Sequence, residues 1–236
     1  MATKKTKTRG RRAAREPLSV ERVVAAAIAI ADAHGTAALT MRAVADALGV
    51  QAMSLYNHVA NKDALLDRMV DAVFARVEVP LDADWRTAMA ARARAIHAAS
   101  REHPWAVGLL ESRRSPGATT LMHHDATIGV LRRAGFSAAM VAHALAVLDA
   151  YVYGFALQEL SLPLGPNEDV PALAAEILAS MPADALPHLA WFTAEHVMAP
   201  GYSFSDELEY GLELVLDGLA RRVEGERSPR AKGARR

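Results

Sequence analysis

Apolar residues return every three or four positions along most of this chain, which is the repeat of helices that bury one face. Val20, Val24, Ala27, Ile28 and Ala31 make the first stripe. Ser19 precedes it as an N-cap whose hydroxyl can accept from an unpaired first-turn N–H, and Gly35 ends it where a left-handed residue is tolerated. Thr40 offers the next N-cap, with Val44, Ala47 and Leu48 inward, and Gly49 breaks that helix almost at once. A second short helix is predicted over Gln51–Asn57, turning Leu55 and Val59 inward. After Asn61 a long helix over Lys62–Val77 carries Leu65, Leu66, Met69, Val70 and Phe74. Pro80 and the acidic turn Asp82–Asp84 mark a hinge. Helices then follow at 85–100, 104–111, 116–134, 137–160, 170–180, 184–198 and 204–224, separated by Pro, Gly and Ser clusters. No segment alternates with period two, and no internal repeat is visible. The expected fold class is all-α.

Composition supports that class. Of the 236 residues 52% are apolar, and Ala, the best helix former, dominates them. Cysteine is absent, which excludes disulfides, thiolate nucleophiles and Cys-ligated metals. No uninterrupted apolar run reaches the roughly 18 residues of a membrane span, and the N-terminus lacks the apolar core of a signal peptide. A soluble cytoplasmic protein without membrane contact is therefore expected. Net charge is zero, but it is unevenly spread. Lys4, Lys5, Lys7, Arg9, Arg11, Arg12 and Arg15 precede the first carboxylate, Glu16, while Arg227, Arg230, Lys232, Arg235 and Arg236 close the chain. Basic ends of this kind either reach phosphates or simply solubilise.

The stretch Leu39 to Val59 holds two helices too short to persist alone, joined at Gly49. Packing Val44, Leu48, Leu55 and Val59 leaves Gln51, Ala52, Ser54, Tyr56, Asn57 and His58 on one exposed face of the second. A small helix start can enter the DNA major groove. There Gln51 and Asn57 can address base edges, while Ser54, Tyr56 and Lys62 suit phosphates. Arg42 can reach a guanine edge or the backbone. The alternative is a helical hairpin that serves only the core.

The run Leu39-Thr40, Arg42, Val44-Ala45, Leu48-Gly49-Val50, then Ser54-Leu55-Tyr56, His58-Val59, Asn61-Lys62 and Ala64-Leu65-Leu66 resembles the DNA-binding domain of the tetracycline-repressor (TetR) family, from about Leu18 to Phe74. The resemblance implies that Tyr56, His58 and Lys62 position the protein on phosphates, and Thr40 is counted with the DNA-binding residues. It places Ala52, Met53, Ser54 and Asn57 towards base pairs and makes Arg42 a base contact. Asn57 stands where the tetracycline repressor has a bulky aromatic residue, so the operator sequence does not carry over.

The later half is similar, more loosely, to the ligand-binding domain of the same subgroup. By that resemblance Arg92, Ile96, His124, Thr127, Leu145, Asp149 and Gln158 line an effector pocket, with His124 and Thr127 on one helix face. Gln158 occupies the place of a carboxylate that helps hold drug-bound magnesium, and Ser112-Arg113-Arg114-Ser115 lacks the histidine found in the tetracycline repressor. No cofactor or metal is therefore expected. The helices 137–160 and 204–224, with Gly211 and Gly218 seven apart, match those that pair as a four-helix bundle between two subunits.

The expectations are then a basic tail over 1–16, a three-helix helix-turn-helix domain over 17–64, a ligand-binding and dimerisation domain over 65–224, and a basic tail over 225–236. Double-stranded DNA with a palindromic operator, a small-molecule effector and a second copy of the chain are the partners. The chemistry is regulation, repression above all, and not catalysis. No phosphate loop, nucleophile elbow or paired-carboxylate motif appears, and His123-His124 point about 100° apart on a helix, too divergent for a metal pair. A helical enzyme or chaperone-like binder, an activator, and a regulator without a ligand are the rival readings.

Overall fold

In the computed structural model, which describes residues 17–110, 117–162, 170–180 and 186–233, every regular element is helical. The N-terminal helices are α1 (Val20–Ala38), α2 (Met41–Leu48), α3 (Ala52–Leu55) and α4 (Lys62–Phe74). The larger body holds α5 (Trp85–Glu102), α6 (Val107–Leu110), α7 (Ala118–Arg133), α8 (Ala138–Ser161), α9 (Val170–Ala179), α10 (Pro187–Phe192) and α11 (Glu207–Gly233). The tail over 1–16, the segment Ser112–Ser115 and the last three residues lie outside the described residues.

Local chemistry sets most boundaries. Ser19, Thr40, Asn61, Asp84 and Ser137 each accept a first-turn backbone N–H as N-caps of α1, α2, α4, α5 and α8. At Gly35 the backbone turns to φ 74°, ψ 166°, interrupting α1 before a last turn to Ala38. Within Asp184–Met198, predicted as one helix, the described part divides into α10 and a π-helical turn over Thr193–Val197. The last helix continues past its predicted stop near Glu224 to Gly233, since a glycine inside a helix costs only about 1 kcal/mol.

Two cores form, and α4 serves both. Leu65, Leu66 and Met69, from its first half, close the small core with Val23, Val24, Ala27, Ala31, Leu39, Val44, Leu55 and Val59. Val70 and Phe74, from its second half, join the large core with Met89, Ile96, Leu131, Leu148, Leu212 and Leu216. In α2 it is Ala45, not Ala47, that is buried. Residue 45 lies about 100° to one side of Val44 and residue 47 about 60° to the other, so spacing allowed either, and packing buries the side of Ala45.

The second tie between the cores is the corner after α5. Trp105 and Leu109 pack against both. Asp32 of α1 accepts hydrogen bonds from Trp105 Nε1 at 2.6 Å and His103 Nδ1 at 2.9 Å.

Although no apolar run reaches the length of a membrane span, α8 is long and apolar enough for one by length and average composition. This 24-residue helix has a mean hydropathy of 1.6 over its most apolar window. Counting uninterrupted apolar runs missed it, because isolated polar residues such as His143 and Asp149 break the run without changing its character. Here α8 is a core helix: Ala144, Leu148, Val152 and Ala156 are buried between α5 and α11, and Asp149 pairs with a buried arginine.

Candidate functional site

The candidate DNA-contacting unit is built from two very short helices. Thr40 Oγ1 accepts from Ala43 N at 3.0 Å, which starts α2. Gly49, at φ 64°, ψ 39°, ends it, and Val50 N donates back to Ala45 O at 3.0 Å. The chain then enters α3 through Gln51, whose extended backbone makes no side-chain cap. Helix α3 is one turn long, shorter than the predicted Gln51–Asn57, and 56–58 form a turn in which His58 N and Val59 N both donate to Leu55 O. It must stop there because Asn61 has to be extended to cap α4, where its Oδ1 accepts from Ala64 N at 2.8 Å.

Leu55 and Val59 anchor this unit in the small core. Gln51, Met53, Tyr56 and Asn57 project outward, Met53 with 74% of its surface exposed, while Ala52, Ser54 and His58 are half-buried. Thr40 and Arg42 are exposed at the start of α2. Lys62 is half-buried, and its Nζ donates to Thr36 O at 3.3 Å, at the end of α1. One of its three donors is thus spent on holding α4 against α1.

The other candidate site lies inside the large body. Arg92 of α5 is 1% exposed. Its Nε donates to His123 Nε2 at 3.0 Å and its Nη1 to Asp149 Oδ1 at 2.6 Å. His123 Nδ1 lies 3.2 Å from Val77 O, which only a protonated Nδ1 can exploit, leaving Nε2 as the acceptor. Burial, and then the Arg92 charge beside it, hold this imidazole at a pKa of about 4, so it is neutral. Thr127, fully buried, donates through Oγ1 to His123 O at 2.8 Å.

Of the pocket residues expected from sequence, Arg92 and Asp149 meet in one ion pair and Thr127 braces the helix turn beside it. Ile96 lines a small apolar cavity of about 10 Å³ with Val73, Phe74, Val77, Ser100 and Ala106. Leu145 packs against the large core. His124 is only half-buried, and the inward histidine is its neighbour His123, about 100° round the helix. Gln158 is exposed, nine residues beyond Asp149 and so on about the opposite side of α8. The available signal for His123 was its four-residue spacing from Thr127, one turn along the same face.

A further cluster was not foreseen. Glu159 accepts from Ser205 Oγ, and its Oε2 lies 2.6 Å from His97 Nε2. Burial pushes the Glu159 carboxyl up, but the Ser205 and His97 hydrogen bonds outweigh it and its pKa is lowered. The carboxylate stands between hydroxyl and imidazole, so this is not the order of a nucleophile and its base. It ties α5 and α8 to the 3-10 turn Phe204–Asp206 that leads into α11.

Helix α4 also touches α7. Asp71 Oδ1 accepts from Thr120 N at 3.2 Å and Thr120 Oγ1 at 2.7 Å. The N-cap of α7, Gly117, makes no side-chain bond of its own, so a carboxylate from another helix performs that task.

Two family models match the chain. Residues 23–69 match bacterial regulatory proteins of the tetR family, and residues 79–223 match the tetracyclin repressor-like C-terminal domain. The HTH-type transcriptional repressor DrrR1 of Streptomyces coeruleorubidus is 35% identical over 227 residues, 89% of this chain and 81% of that protein. The structure of ActR from Streptomyces coelicolor in complex with actinorhodin superposes with a TM-score of 0.71 at 28% identity, covering 88% of this chain and 99% of ActR. BioQ of Mycobacterium smegmatis, solved with its natural double-stranded DNA operator, gives 0.60 at 26% identity, covering 87% and 99%. With its helix-turn-helix, its large helical body and these matches over both, the chain belongs to the tetR family of bacterial regulatory proteins and is a DNA-binding transcription regulator.

Proposed function

We propose that two copies of the chain form a cytoplasmic repressor, not an enzyme, that reads a palindromic operator and lets go when a small molecule enters the larger domain. Residues 17–64 are the DNA-binding domain and residues 65–224 the ligand-binding and dimerisation domain. The observation that carries this reading is the outward face of α3. Gln51, Met53, Tyr56 and Asn57 stand clear of their own core at the end of a capped, rigid helix pair. Arg42, Gln51, Ala52, Met53, Ser54 and Asn57 read bases; Thr40, Tyr56, His58 and Lys62 hold phosphates. That ActR is solved with actinorhodin and BioQ with its operator supports both halves of the assignment.

Release follows from α4, whose two halves belong to different cores. A ligand wedged between α4 and α5 beside Ile96, against the Arg92–His123–Asp149 cluster, displaces the helix on which the reading head sits. It weakens DNA binding only so far as it binds the displaced geometry more tightly.

The test compares a palindrome from the gene's own upstream region with random duplex in gel-shift titrations of the wild type and Tyr56→Ala. A preference for the palindrome is expected, with Tyr56→Ala binding it about tenfold more weakly while sedimenting as the same dimer. Unchanged affinity in the variant removes Tyr56 from the interface, and absence of any sequence preference refutes the operator reading.

A further inference from the structure

We infer that Asp32 is a positioning residue for operator reading: its carboxylate holds the corner after α5 and so fixes the angle at which the DNA-binding helices sit on the larger body. This rests on the reading of the α3 face as the operator contact and goes further by naming the side chain that keeps that face aligned.

Two bodies joined through one shared helix move relative to each other unless a second contact stops them. Helix α4 is such a shared helix, with one half in each core. Asp32, on α1, supplies a second point of attachment. Its Oδ1 accepts from Trp105 Nε1 at 2.6 Å and from His103 Nδ1 at 2.9 Å, two donors that flank Pro104. Trp105 and Leu109 also pack against both cores, but apolar contact has no direction and tolerates sliding. Hydrogen bonds to an ionised acceptor are directional and roughly twice as strong as neutral ones. The pair at Asp32 therefore sets an angle where packing alone would not.

His103 extends the attachment to the end of α4. Its Nε2 faces Arg76 Nη1 at 3.4 Å, and Arg76, just beyond α4, donates to Glu102 Oε1 at 2.6 Å. The same corner walls the small cavity between α4 and α5. Ala99 and Ala106 line it beside Val73, Phe74 and Val77. His103 is tied to both alanines, donating from its N to Ala99 O and accepting at its O from Ala106 N, each at 2.8 Å. Spreading that cavity displaces the two donors from Asp32, so alignment is lost together with the position of α4.

The test compares full-length Asp32→Asn and Asp32→Ala in gel-shift titrations with the upstream palindrome and with random duplex of equal length. Both variants remove the same negative charge, but only Asn keeps an Oδ1 acceptor. Asp32→Ala should bind the palindrome about tenfold more weakly than Asp32→Asn, with both sedimenting as the wild type does. Random duplex should bind the two equally, since phosphate contacts available at every register do not require aligned reading faces. Equal affinity of the two variants for the palindrome, or a parallel loss on both duplexes, overturns the assignment. Should Asp32→Ala fail to fold, Trp105→Phe replaces it, keeping an aromatic ring between the cores without the Nε1 donor. It should lose affinity for the palindrome alone, and unchanged affinity there overturns the assignment equally. A wild type that does not prefer the palindrome is recognised before any variant is compared; it refutes the operator reading and this assignment with it.

Discussion

His123 shows how one buried side chain makes stability depend on pH. Burial first, and the Arg92 charge second, lower its pKa from 6.5 to about 4. Between those values the unfolded chain takes up a proton that the folded chain refuses, so stability falls as pH drops through that window. The loss should reach roughly 2 kcal/mol once solvent screening is allowed for. His123→Gln keeps one donor for Val77 O and one acceptor for Arg92 but cannot titrate. Its urea midpoint should therefore fall less steeply than that of the wild type between about pH 6.5 and about pH 4.5. Parallel slopes in the two proteins would remove His123 as the source.

At the scale of elements, α4 couples the two cores, and its grip on α7 is tight enough to break with one methyl group. A Cβ at Gly117 would stand 1.7 Å from Asp71 Oδ2, so Gly117→Ala must drive the carboxylate from the start of α7. The expected cost is about 1–3 kcal/mol, the usual range for overpacking. With Asp71→Ala already in place the same substitution should cost much less, giving a clear interaction energy in a double-mutant cycle of thermal unfolding. Additive costs would mean that the two positions do not press on each other. A comparable close approach occurs in α11: a Cβ at Gly211 would meet Tyr151 Oη at 2.1 Å. That hydroxyl donates to the carbonyls of Glu207 and Leu208. Gly211 thus seats α11 on α8 within one subunit, whereas a Cβ at Gly218 would meet nothing within 4 Å among the described residues outside its own helix backbone.

Across the whole molecule, the apolar surface left uncovered by one copy bears on assembly. Val147 of α8 and Tyr210 and Leu214 of α11 are exposed, Leu214 by 55%, on the two helices proposed to meet their copies. An isologous bundle there would bury these side chains and set the two copies of α3 at the spacing of palindromic half-sites. Leu214→Asp should therefore shift sedimentation towards monomer. Operator affinity should then fall by about a hundredfold as the second half-site ceases to be an intramolecular event. A variant that stays dimeric with unaltered operator affinity would place the contact elsewhere.

The amino-acid sequence by itself determined the helical class, the capped helix pair at Thr40 and Gly49, and the outward polar face near Tyr56. These depend on contacts within a few residues: a hydroxyl reaching the third N–H, a glycine admitting positive φ, a stripe repeating every turn. The resemblance added the positions of Arg92 and Asp149, 57 residues apart, which the structure joins in one ion pair. Only tertiary structure decided that His123 rather than His124 completes that cluster, because a 100° choice about a helix depends on the neighbour it packs against. It decided equally that α4 divides between two cores, and that Asp71 caps a helix 46 residues away at Gly117. Packing between distant helices brings such groups together, and no local periodicity encodes the pairing.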